Sequence, residues 1–250
     1  MQRLTLKDFP SLLKETPQLP KQLFIEGEFP RENENIFLTV VGPRKISSYG
    51  QETCRYLIGG LIGQPVVIVS GLAIGTDTLA HKTALETGLK TLAIPGSGLD
   101  QSVIYPAQNQ RLAKEILKEG GCLLSEYEPK TRAATYTFPE RNRLMAGISK
   151  ATLIIEAAEK SGTLITARLA TEYNRDLLVV PGSIFSINSK GTNSLIRQGA
   201  TPITSPKDLL EALGLTSRGE NTNKKSLFYF LLVLVRETPS SKNSIYQRVK

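Results

Sequence analysis

IFLTVVGPR (36–44) is an apolar run that stops at a glycine, a proline and an arginine, and the pattern recurs downstream. VVIVSG (66–71), TLAIPG (91–96), GCLLSEY (121–127), TLIIEAA (152–158) and DLLVVPG (176–182) each end at a small or polar turn, with stretches of helical length between them. Continuous apolar runs belong to strands buried on both faces. Runs that alternate with helices predict an α/β fold, a doubly wound and mostly parallel sheet with helices on both faces. ATPITS (200–205) adds a strand, for about seven in all. In such sheets ligands sit beyond the carboxyl ends of the strands. Gly, Ser and Arg cluster there in this chain, which points to a phosphate-bearing ligand.

Composition narrows the classes. At 250 residues and 40% hydrophobic content the chain builds one substantial core. No apolar run reaches the ~20 residues that span a bilayer; the longest, SLFYFLLVLV (226–235), lies between basic segments. The start, MQRLTLKDFPSLLKE, lacks the apolar centre of a signal peptide, so a cytoplasmic protein with no membrane partner is expected. Cys54 and Cys122 have neither CxxC nor His-paired spacing, so no metal and no cofactor are expected. The net charge of +8 suggests a polyanionic partner. Residues 218–250 hold seven Lys/Arg against two Glu, so most of that charge belongs to the tail. In the body the local pairs matter more: Arg44 with Lys45, Lys130 with Arg132, and Arg141 with Arg143.

Three regions follow. Residues 1–34 form a short N-terminal segment in which LFIEGEF adds an edge strand, 35–215 the main domain, and 216–250 a basic linker with a short helical segment. Helices are expected near 48–63, 76–88, 107–119, 139–149, 162–174, 193–198 and 206–214.

Each strand-end motif has a ligand reading and a plainer one. VGPRKISSYG (41–50) offers Gly42 for close backbone approach, a helix start, and Arg44 as a forked cationic donor. It is not GxGxxG, and strand-to-helix turns need glycine whatever they bind. SGLAIGTDTLAH (70–81) puts Ser70 and Gly71 at a strand end; Asp77 would repel an anion unless it caps the helix. His81, the single histidine, has no Ser, Cys or metal partner and reads as structural. In FPERNRLMAG (138–147), Arg141 and Arg143 point to different helix faces, so one is expected to be internal, paired with Glu126 or Glu156. Phe138 either stacks on a base or staples the helix start. EAAEKSGTLITA (156–167) presents Ser161 and Gly162 at another anion-ready helix start. Glu156 and Glu159 lack the surroundings of an acid–base pair, so no catalytic residue is assigned.

Taken in order, VGPRKISSYG, VSGLAIGTDTLAH, GLDQSVIYPAQN, LLSEYEP, FPERNRLMAGIS, EAAEKSGTLITARLA and VPGSIFSINSKGTNSLIRQGA closely resemble the DNA-processing protein A family (DprA, also called Smf) over most of residues 20–214. The resemblance implies an extended Rossmann-type domain that binds single-stranded DNA, dimerises, and hands incoming DNA to the RecA recombinase in natural transformation, as a mediator and not an enzyme. It places the DNA pocket on Gly42, Arg44, the FPERNR segment (Phe138, Arg141, Asn142, Arg143) and the neighbouring strand-end loops. Family members commonly carry a basic residue just before that phenylalanine; here the stretch is ATYT (134–137), so Lys130 or Arg132 is expected to substitute. The dimer is expected to form through Leu195, Ile196, Leu209, Leu210 and Leu213, more apolar residues than two short helices need for themselves. The rival class is a nucleotide-binding enzyme similar to lysine-decarboxylase-like phosphoribohydrolases. SGTLITA echoes their phosphate loop but lacks its second glycine and following glutamate.

Overall fold

The computed structural model describes residues 1–215. In chain order the elements are β1 (Gln2–Leu4), α1 (Ser11–Lys14), β2 (Leu23–Gly27), β3 (Ile36–Val41), α2 (Ser48–Gly59), β4 (Val66–Ser70), α3 (Thr76–Glu86), β5 (Lys90–Ala93), α4 (Gln110–Lys118), β6 (Cys122–Ser125), α5 (Thr137–Ile148), β7 (Ala151–Ile154), α6 (Thr163–Glu172), β8 (Asp176–Val179), α7 (Lys190–Arg197), β9 (Thr201–Pro202) and α8 (Pro206–Ala212).

The nine strands form one sheet in the order β1-β2-β6-β5-β4-β3-β7-β8-β9. From β6 to β9 every pairing is parallel, whereas β2 runs antiparallel to both β6 and β1. The seven expected strands are thus joined by two from the first thirty residues. LFIEGEF supplies β2, which lies second from the edge; QRL, too short to carry a period of its own, is the edge strand. The chain winds outward from β3 through β4, β5 and β6, then returns to the other side of β3 with β7. That reversal makes a switch point between β3 and β7, where doubly wound sheets hold their ligands.

Alternation along the strands assigns the two faces. Phe37 and Val41 join α1, α5 and α6 in one core with Leu13, Leu144, Met145, Ile148 and Ala167. Leu38 and Val40 join α2, α3 and α8 in another with Leu57, Ile58, Ala80 and Leu209. Thr39 falls on the first face, where its hydroxyl donates to the Met145 carbonyl at 2.8 Å and so locks α5 onto β3. Both cysteines are buried and free, their thiols pushed up to about 12 by burial.

α8 corrects one expectation. Its start is secured by a capping box from Ser205 and Asp208, with Pro206 in the first turn. Leu209, Leu210 and Leu213 are then buried in the chain's own core, packed over β8 and α2. Leu209 and Leu213 have no exposed surface and Leu210 keeps only 6%, which leaves these three too little surface to form an interface. Leu195 and Ile196 of α7 are only partly buried. The expected helical segment within 216–250 lies outside the described residues.

Candidate functional site

A cavity of about 320 Å³ opens over the switch point. Its wall is built from three loops that follow β3, β4 and β7, together with the start of α5. Gly42, Pro43 and Arg44 come from the first, Ala73, Ile74 and Asp77 from the second, and Ser161, Gly162 and Thr163 from the third; Phe138, Pro139, Arg141 and Asn142 close the remaining side. Three helices, α3, α5 and α6, therefore begin at this cavity, where the partial positive charge of a helix is concentrated at its amino-terminal end.

The loop after β3 is shaped by packing before any ligand is considered. A Cβ on Gly42 would run into the Thr76 hydroxyl, and Thr76 in turn donates both its N–H and its hydroxyl to the Pro43 carbonyl, each at 3.2 Å. Glycine is needed there so that α3 can start against the loop. That close seat pushes Arg44 outward, exposed, with its guanidinium carbon 5.3 Å from the centroid of the Phe138 ring. Phe138 is held from below by Gly96 and from the side by Tyr105, whose ring centroid is 5.7 Å away at a tilt of 49°. Thr137 anchors this end of α5 by donating to the Gly96 carbonyl at 2.5 Å.

The two arginines of FPERNR are both turned inward. Arg141 is 4% exposed; its guanidinium donates to the Ile94 carbonyl and faces the Asp77 carboxylate, which also accepts N–H groups of Gly71 at 3.1 Å and Ala73 at 3.3 Å. Burial pushes the Asp77 carboxyl above the usual carboxylate value, against the pull of Arg141 and those backbone donors. Asp77 is thus neither a helix cap nor a repellent for ligands: it neutralises a cation at the cavity floor. Arg143 pairs with Glu126 and donates to the Gln18 carbonyl at 2.7 Å, tying α5 to the loop after β6 and to the N-terminal segment. Of the two expected partners, Glu126 is therefore the one used. Glu156 instead accepts the Ser47 N–H at 3.0 Å and its hydroxyl at 2.5 Å, so it fixes the start of α2.

Of the residues singled out from sequence, Gly42, Arg44, Phe138, Arg141, Asn142, Ser161 and Gly162 meet at this cavity. Lys45 is exposed beside Arg44 on the same loop. Ser70 and Gly71 do not reach the surface. The Ser70 hydroxyl donates to the Val40 carbonyl at 2.7 Å, and Gly71 is buried where a Cβ would coincide with the Arg141 guanidinium. Arg143 is diverted to Glu126, and Lys130 and Arg132 are exposed on a segment that does not line the cavity. Thr163, read with Ser161 and Gly162 as a hydroxyl-bearing helix start, lines it too, and Ile74, Ile165 and Thr166 line it without having been singled out. Thr166 sits in SGTLIT with the expected helix start, so its signal was present; Tyr105 was legible only as part of GLDQSVIYPAQN. His81 is fully buried, its imidazole pushed down to about 3 by burial, and its Nδ1 lies 2.7 Å from the Thr91 hydroxyl, which itself donates to the Ile68 carbonyl. It is a structural histidine. Among the described residues no cluster of His, Cys, Asp and Glu could hold a metal ion, and no helix is long and apolar enough to cross a membrane.

Known proteins share this arrangement. The family model for DNA recombination-mediator protein A matches residues 2–214. Protein Smf of Escherichia coli is 41% identical over 205 residues, covering 82% of this chain and 54% of the relative, so the chain spans about half that relative's length. The solved structure of DNA processing protein A from Streptococcus pneumoniae superposes with a TM-score of 0.78 at 38% identity, covering 84% of this chain and 73% of the other. The structure of DNA processing protein A from Helicobacter pylori, described for its single-stranded DNA binding mode, gives 0.76 at 31% identity, covering 85% and 96%. The seven motifs, the sheet order and the cavity at the switch point all fall within the matched span, and the chain belongs to the DNA recombination-mediator protein A (DprA/Smf) family.

Proposed function

We propose that this chain binds single-stranded DNA along the carboxyl edge of its sheet and acts, without catalysis of its own, as a mediator that delivers the bound strand to the RecA recombinase during recombination and natural transformation. One observation carries the DNA reading: an exposed arginine held over an aromatic ring at the rim of a cavity where three helices begin. The floor charge is already balanced by Asp77 against Arg141, so the attraction available to a phosphate comes from Arg44, Lys45 and the helix ends. Phe138 offers a ring face beside them, on which any base stacks, and phosphate contacts carry no base information; sequence preference is therefore slight. A cavity of about 320 Å³ is near the small end of ligand clefts and admits one nucleotide-sized group, with the open rim letting a strand continue in both directions. The single-stranded DNA binding mode described for the Helicobacter pylori relative supports the same reading.

Self-association belongs to the proposal, through fewer residues than expected. With the α8 leucines spent on the core, Leu195 and Ile196 of α7 are the remaining candidates, Leu195 lying in a separate cleft of about 840 Å³ formed by α6, α7, β8 and β9. The test of function is a binding series with single- and double-stranded DNA and a nucleoside monophosphate competitor, with base release assayed in parallel. Preference for single strands without base release is expected. Displacement at micromolar monophosphate with release of the base would favour a phosphoribohydrolase-like enzyme instead.

A further inference from the structure

A second feature of the same sheet edge has no role in the cavity. Between β8 and α7 the chain forms the loop PGSIFSINS (181–189), and it is well anchored. The Gly182 N–H donates to Asn193 Oδ1 at 3.2 Å and Asn193 Nδ2 returns a bond to the Gly182 carbonyl at 3.0 Å; the Tyr49 hydroxyl donates to the Pro181 carbonyl at 2.7 Å. A turn closed by the Ser186 N–H on the Ser183 carbonyl then presents Ile184 and Phe185 at its tip. Phe185 is 90% exposed, the most exposed of the large apolar side chains among the described residues, with Ile184 at 77% and Ile187 at 70%. An anchored loop that holds an aromatic ring in water gains nothing for folding from that ring.

At the foot of this loop lies a cleft of about 490 Å³ lined by Ser47, Tyr49, Glu156, Pro181, Gly182, Ser183, Ser186 and Ser189. It adjoins the first cavity through one loop: Gly42 to Arg44 wall the first, and Ser47 and Tyr49 wall the second. The buried Glu156 carboxylate at the floor excludes a phosphate from the cleft. The accessible Ser183 and Ser186 hydroxyls and the half-exposed Tyr49 suit an uncharged, hydrogen-bonding ring edge. A cationic, aromatic site and an aromatic, hydroxyl-lined one therefore follow each other along the edge, with Arg44 and Lys45 exposed on the shared loop. We infer that a single strand leaving the Arg44–Phe138 cavity continues over this loop, with a base stacked on Phe185 beside the serine-lined cleft and its phosphates turned toward Arg44 and Lys45. The inference rests on the DNA reading above and extends its footprint by a second stacking platform.

The chain contains no tryptophan, so Phe185→Trp installs a single fluorescent reporter at the proposed contact. Oligothymidylates from about 4 to about 20 nucleotides are titrated, with anisotropy of a labelled strand as an independent measure of binding. Quenching of the tryptophan is expected for long strands and not for the shortest. Phe185→Ala should weaken long strands by roughly 5- to 150-fold, the range for loss of one base–aromatic stack, while the shortest keep wild-type affinity. Thermal melting should not move, because the side chain is exposed. Anisotropy that reports binding while the tryptophan stays unquenched, or a Phe185→Ala chain that binds long strands normally, overturns this inference and leaves the Arg44 cavity intact. A wild-type chain that fails to bind single strands at all overturns the DNA reading itself. Should Phe185→Ala change the sedimentation coefficient and not DNA affinity, the loop is a contact between copies of the chain, which also overturns it.

Discussion

Arg44→Ala removes the exposed cation of the cavity rim and is the most direct test of the site. Because Arg44 is exposed, stability should change by no more than about 1 kcal/mol. The lost contact with the Phe138 ring, 5.3 Å from the guanidinium carbon, is worth about 0.5–1 kcal/mol at an exposed site and sets the upper end of that change. Binding should respond far more. A charge-assisted hydrogen bond to phosphate is worth about 1.5–3 kcal/mol, so single-stranded DNA affinity should fall by roughly 10- to 150-fold. The slope of log K against log salt should become shallower by about 0.7, the counterion release of one single-strand phosphate contact.

The assay is anisotropy of a labelled oligonucleotide across a salt titration, beside a thermal melt of each variant. Arg44→Lys separates charge from shape: it should keep the salt slope and recover only part of the affinity, since an ammonium lacks the planar fork that both grips phosphate and lies on the ring. A double-mutant cycle with Phe138→Leu should give a coupling of about 0.5–1 kcal/mol in binding, because the ring holds the guanidinium in place before the strand arrives. Unchanged affinity and unchanged slope in a folded Arg44→Ala chain would refute the assignment of phosphate contact to this residue.

Three further outcomes follow from the interior. Gly71→Ala places a methyl group on the Arg141 guanidinium, so a melt should show a loss of about 1–3 kcal/mol with weaker DNA binding as α5 shifts; a chain of wild-type stability would contradict the packing. Leu209→Ala should cost about 2–5 kcal/mol in urea unfolding and leave both the sedimentation coefficient and the DNA affinity of the folded protein unchanged, whereas an interface residue would alter assembly first. His81 is held near 3 in the fold against about 6.5 in the unfolded chain, so its contribution is complete above pH 6.5 and is lost as pH falls toward 3. Between pH 6.5 and 4.5 it should remove about 2 kcal/mol from the unfolding free energy, a decline that His81→Gln abolishes; equal slopes for the two chains would show that the ring titrates normally.

The strands from β3 to β8 were legible because each lies in a short, largely apolar run that ends at a small or polar turn, as Phe37 to Val41 and Val66 to Ser70 do. β1 was not, since three residues hold no period and its pairing with Leu23 to Ile25 is settled by the edge that β2 leaves open once it has paired with β6. The α8 leucines show a different limit. Sequence reveals that Leu209, Leu210 and Leu213 are apolar, but not how much sheet lies beneath a seven-residue helix. The flank of β8 takes all three.

The site divides along the same line. Spacing put Arg141 and Arg143 on different faces of α5 and so required one to be internal, but it could not require both. Glu126 and Asp77 lie far away in sequence, and each comes to its arginine only once β6 and β4 have been laid beside β5. A buried guanidinium needs such a partner, because its desolvation otherwise costs several kcal/mol. Three cations near one sheet edge therefore sort by depth. Arg141 holds the floor against Asp77, Arg143 ties α5 to the loop after β6, and Arg44, pushed outward by the seat of Thr76 on Pro43, is the one with its donors open to solvent. The motif richest in arginine therefore builds the scaffold, and the single arginine of the GPR turn is the one left open at the cavity rim.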